Sequence, residues 1–88
     1  MADLGNFEEA YDQAEAAYIG GLRAGLGRDE LGRLAGVVAG AAGEFNAEAF
    51  RSLRTASGED REELDRLTDL TETLSELWAE VHSAYLGQ

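Results

Sequence analysis

The 88-residue chain has no cysteine, no proline and no lysine, and it has a single histidine and a single tryptophan. Each absence closes a class of possibilities. Without cysteine there is no disulfide and no thiolate metal site, and the redox compartment leaves no mark. Without proline, and with alanine abundant, little interrupts a helix. With His82 alone, most acid–base and metal arguments fall away together. A helical carboxylate metal site needs a glutamate three residues before its histidine. Position 79 is Ala79, and Glu80 points to a different side of the helix. Long apolar runs are also missing: nothing approaches the roughly 18 residues of a membrane span. The opening MADLGNFEEA has neither the basic region nor the apolar core of a signal peptide. The expectation is one soluble, cytoplasmic, all-α domain over residues 1–88.

Acid dominates what is there. The net charge is −11, and all seven basic residues are arginine. A GC-rich genome or a high-salt habitat accounts for that bias more readily than a functional demand for arginine does. The charge disfavours naked nucleic acid and anionic membranes as partners and favours basic proteins. It is also uneven. Residues 1–22 carry −5 (Asp3, Glu8, Glu9, Asp12, Glu15), residues 67–88 carry −4, and the middle carries −2 with every arginine.

Hydrophobic spacing gives the helices. The longest uninterrupted pattern runs from Glu59 to Leu86, a rod of roughly 40 Å. Leu67, Leu70, Leu74, Leu77, Val81 and Ala84 alternate three- and four-residue steps, which is the seam of a helix packed on another helix. Leu64, Thr71, Trp78 and Tyr85 widen that seam. Asp65, Asp69, Glu72 and Glu76 lie on the opposite side as an acidic stripe. Its like-charged pairs four apart oppose the helix, and only Glu62/Arg66 is favourable at that spacing. Ser57 is the candidate start and Gly87 the candidate stop.

Earlier in the chain, a first helix is expected from Phe7 to Ala24, opened by Asn6 and Glu9 as a capping box and closed by Gly25 and Gly27. Leu4, Phe7, Tyr11, Ala14, Tyr18 and Leu22 form its core face, beside a small-residue stripe of Ala10, Ala14, Ala17, Gly21 and Ala24. A second helix starts near Asp29 with Leu31, Leu34, Val38 and Ala41 as its larger apolar positions. Gly32, Gly36 and Gly40 recur every fourth residue in it. Three such glycines cost about 1 kcal/mol each relative to alanine, so they imply close approach of another helix. The small stripe of the first helix is the expected match. Whether the helix continues to Ala56 or breaks between Gly43 and Asn46, with Asn46 capping a short third helix, is open. The architecture is a small antiparallel bundle of three long helices, or four with a short third.

No constellation carries chemistry. The carboxylate groups Glu8/Asp12/Glu15 and Asp69/Glu72/Glu76 lack the six to eight oxygens of a calcium cage. Small acidic carriers of a prosthetic arm resemble the chain in size and charge, and they attach the arm to an Asp-Ser-Leu serine. The nearest match here, Arg51-Ser52-Leu53, lacks the acid and lies in mid-helix. There is no phosphate loop and no nucleophile–base pair. The expectation is therefore a non-enzymatic protein without cofactor or metal. It is a structural subunit or adaptor that self-associates through Leu67, Leu70, Leu74, Leu77, Trp78, Val81 and Tyr85. The rival is an acidic antagonist or chaperone-like module that binds a basic protein surface, in the manner of a nucleic-acid mimic, through Asp65, Asp69, Glu72 and Glu76.

Overall fold

A computed structural model describes residues 4–87 as three α-helices, with no strand among the described residues. They are α1 (Leu4–Ala24), α2 (Arg28–Thr55) and α3 (Gly58–Leu86). Asp3, one of the N-terminal acids, lies outside the described residues. Successive helices are antiparallel and joined by short turns, so the chain is an all-α bundle measuring 47 × 22 × 15 Å along its principal axes.

The turns follow from glycine. Gly25 takes φ +74°, its N–H donates to the Leu22 carbonyl and the Leu26 N–H donates to the Gly21 carbonyl. This is the paired reverse bonding that closes a helix through a left-handed residue. Gly58 takes φ +64° at the start of α3. Gly87 ends α3 differently, in ordinary right-handed geometry with its N–H on the Ser83 carbonyl. Asn6 is not a cap, because α1 is already helical at Leu4. Ser57 occupies the cap position of α3 without a side-chain hydrogen bond to the helix.

The open question about α2 resolves as one continuous helix of 28 residues, nearly as long as the 29 of α3. Asn46 does not cap anything; its amide donates to the Thr68 carbonyl (3.1 Å) and to Thr71 Oγ1 (3.0 Å), binding α2 to α3. With α2 unbroken, α3 does not outrun it, and the excess length lies against α1, which has only 21 residues.

The glycines of α2 face α3, not α1, contrary to the expected small-stripe match. A Cβ built on Gly32 would sit 3.0 Å from Tyr85 Cβ, and one on Gly36 would sit 2.8 Å from His82 Nε2. A four-residue step overshoots the helical turn by about 40°, so the stripe drifts off the interface. By Gly40 nothing lies within 4 Å, and by Gly43 the contact with Ser75 is ordinary. On α1 only Ala14 and Gly21 of the small stripe are buried, Gly21 under Leu26, Leu31 and Leu34.

Because α2 and α3 close so tightly, α1 is held off: no Cα of α1 lies within 8 Å of one in α3 among the described residues. Side chains bridge the gap. Tyr11, Tyr18, Val38, Phe45 and Trp78 form the buried centre, with Leu4, Phe7, Leu67, Leu74, Val81 and Tyr85 packed against it. Leu22, expected on the core face of α1, is instead about half exposed at 49%, as is Phe50 of α2 at 50%. Leu22 lies one turn past Tyr18, at the open end of α1. Phe50 lies beyond the reach of α1 and carries the Arg54 guanidinium 5.8 Å over its ring.

Two alanine substitutions separate packing from propensity. Gly40→Ala should raise the unfolding free energy by about 1 kcal/mol, since the new methyl meets nothing and helix propensity improves. Gly32→Ala should lower it by up to about 2 kcal/mol, since Tyr85 Cβ is too close to its own backbone to yield and overpacking costs about 1–3 kcal/mol. Urea denaturation followed by helical circular dichroism reads both. Equal effects would mean that the α2–α3 approach is not tight.

Candidate functional site

Tertiary structure sets the seam of α3 apart from the sequence expectation. Thr68, Thr71, Ser75 and His82 lie on the α2 side, where Thr71 is fully buried. The Thr71 hydroxyl donates to carbonyls of its own helix, 2.9 Å to Leu67 and 3.1 Å to Thr68, while it accepts from Asn46. His82 is partly buried, with its ring laid across Gly36.

Trp78 is interior rather than a surface anchor. It is only 8% exposed, its indole N–H donates to Tyr11 Oη at 2.9 Å, and its ring meets Tyr18 edge-on at 5.2 Å. Tyr85 is partly buried against Tyr18, their hydroxyls 2.6 Å apart. Both contacts link residues 67 positions apart, which sets α1 and α3 parallel with Leu4 level with Thr71. Periodicity marks these rings as core. It carries no trace of the hydroxyl and indole pairing, because partners so far apart share no local pattern.

The remaining seam residues divide. Leu67, Leu74 and Val81 are half-buried against the core. Leu70 and Leu77 lie one step further round the flank that looks toward α1, and are 56% and 49% exposed. Ala84 is exposed beside them. Beyond the first turn of α1, residues 58–70 of α3 run roughly 20 Å with no α1 alongside. There the chain forms a notch of about 890 Å³ lined by Leu4, Ser52, Leu64, Arg66, Leu67 and Leu70.

The acidic stripe is elsewhere. Asp65, Asp69, Glu72 and Glu76 are exposed and centred about 120° round α3 from Leu70 and Leu77. The ion pairs among the described residues are Glu30–Arg33 and Glu48–Arg51, both within α2. The Glu62/Arg66 pair expected from spacing does not form; Arg66 lies along the notch instead. Two arginines serve helix ends. Arg28, at the start of α2, donates to the Ala84 carbonyl at 2.8 Å and lies 5.3 Å over the Tyr85 ring. Arg61, at the start of α3, donates to the Leu53 carbonyl near the end of α2. Each places a cation at the negative end of a neighbouring helix, which sequence spacing within one helix does not reveal.

Among the described residues no three histidine, aspartate or glutamate side chains converge on one point suited to a metal ion, and no helix is long and apolar enough to cross a membrane. A second cleft, of about 180 Å³ beside Gly32, His82 and Tyr85, is flanked by Arg28 and Arg33. Both of these are already engaged, on α3 and on Glu30. No protein-family model, curated protein or solved structure matches the chain.

The tyrosine pair gives the bundle an alkaline limit. The hydrogen bond from Tyr85, reinforced by burial, pushes the Tyr18 phenol up from 10.0 to about 12. Burial raises Tyr11 as well, against the opposing pull of the Trp78 N–H. A folded-state value above the unfolded one means stability that is complete below about pH 10 and lost as pH rises toward 12. Denaturation midpoints should therefore hold to pH 10 and fall steeply above it. In Tyr18→Phe the alkaline fall should be shallower, though stability at pH 7 is lower. An unchanged alkaline slope would mean the hydroxyl pair is not formed.

Proposed function

We propose that the chain is a non-enzymatic α-helical interaction module, a structural subunit or adaptor, that self-associates through α3. The observation that carries this reading is the exposure of Leu70 and Leu77 on a flank of α3 that α1 stands too far away to cover. Large apolar side chains in line on one helix face are the usual ground of a protein interface. This flank carries no carboxylate between Arg66 and Ala84, although the chain as a whole has a net charge of −11. Such a charge opposes encounter between copies at a distance, and salt screens it. Once two copies meet on this flank, contact is apolar.

A second reading is favoured by a different observation: the exposed acids Asp65, Asp69, Glu72 and Glu76 have no cationic neighbour in ion-pair contact. A basic protein surface would neutralise them, and the chain would then act as an acidic antagonist or chaperone-like module. Binding of that kind collapses in molar salt and ignores the Leu77 flank.

Light scattering of the purified protein in low and in molar salt decides between them. The expected result is association that strengthens in molar salt. In Leu77→Glu the dissociation constant should rise at least about 100-fold, since a twofold contact counts the loss of about 1.5 kcal/mol twice. The fold of this variant should survive, because Leu77 is outside the core. A monomer in both salts would overturn self-association.

A further inference from the structure

We propose that two copies pair antiparallel along α3 about a twofold axis near residues 73–76, each filling the notch of the other. The proposal rests on the self-association reading above and deepens it to an arrangement. A twofold contact requires that one surface patch complement itself end to end. The α3 flank meets that demand. Leu70, Leu74, Leu77 and Val81 follow each other at steps of four, three and four residues, a palindrome about its midpoint, 75.5. Reversing the helix lays Leu74 on Leu77 and Leu70 on Val81 of the second copy, and slipping by about one turn lays Leu70 on Leu77.

The ends match as well. At one end of this flank is the notch, where α3 runs on without α1 beside it. At the other end are the exposed Leu77, the half-buried Val81 and, on α1, the exposed Leu22. Reversal about the midpoint brings the second end of one copy to the notch of the other, twice. A parallel pair would set notch beside notch and leave both open.

Charge agrees. Arg66 lines the notch at its end nearest the axis, and the carboxylates Asp60 and Glu63 line it further out. Reversal brings Arg66 level with residues 81–85 of the other copy's α3. Through the 67-residue register with α1, that is also the level of residues 14–18. Glu15 is there, its carboxylate accepting from Tyr11 Oη on the α3-facing side of α1. An arginine thus meets a carboxylate at each end of the contact, while Asp60 and Glu63 lie at the outer end of the notch.

The chain has no cysteine, so single labelling sites are available without background. Thr73→Cys and Glu62→Cys, both at exposed positions outside the notch, are each labelled with a nitroxide. Pulsed electron–electron resonance is then recorded in molar salt, with light scattering on the same samples. Antiparallel pairing predicts labels at position 73 within about 20 Å of each other, and labels at position 62 about 35 Å apart or more, at 1.5 Å per residue along each helix. A dimer with short distances at both positions would overturn the arrangement in favour of parallel pairing. A dimer with long distances at both would overturn it by moving the contact off α3. A monomeric mass would instead remove the self-association reading on which the arrangement rests.

Discussion

The close approach of α2 to α3 is the constraint on which the rest of the structure depends. Gly32 and Gly36 remove two side chains from one helix where the other presents Tyr85 and His82. The interior glycines cost helix propensity, and tight packing with Asn46 bridging to Thr68 and Thr71 offsets that cost. Three helices of ordinary side chains would share their contacts more evenly. Here α2 and α3 close on each other, and α1, packed on α2, must reach α3 through large rings.

That asymmetry explains both the core and the surface. Tyr11, Tyr18, Trp78 and Tyr85 fill the space between α1 and α3, and each polar atom they carry into it finds a partner. Aromatic residues suit this position, because they bridge a wide gap with few rotatable bonds and bring a polar tip along. The same gap, together with the shortness of α1, leaves Leu70 and Leu77 uncovered and opens the notch beside Leu4. Core design and exposed face have one cause.

Much of the fold is legible from spacing alone. Three helices, their turns at Gly25–Gly27 and near Ser57, and the interior placement of Tyr11, Tyr18 and Trp78 all follow from local periodicity and glycine. The partner of the α2 glycines does not. A small residue announces that something comes close without saying what, and the alanine stripe of α1 is as good a match on paper as His82 and Tyr85. Asn46 misleads for a related reason: an asparagine three residues after Gly43 reads as a cap, whereas its amide serves another helix. The exposed flank is hardest to see. Leu70 and Leu77 are indistinguishable from Leu67 and Leu74 in sequence. Only the position of α1, fixed by rings 67 residues away, separates them.

The long sequence separation of those ring contacts also orders the assembly of the chain. The turn between α2 and α3 is two residues, Ala56 and Ser57, so their first contacts close a short loop. The Tyr11–Trp78 and Tyr18–Tyr85 contacts close loops of 67 residues and need the hairpin already in place to receive them. Loop-closure entropy therefore favours the hairpins across the two short turns as early events and the ring contacts between α1 and α3 as the late one. In the reverse direction α1, packed on α2 but joined to α3 by side chains alone, is the first element to leave. Amide protons of α1 should then exchange with solvent through an opening that leaves α2 and α3 joined.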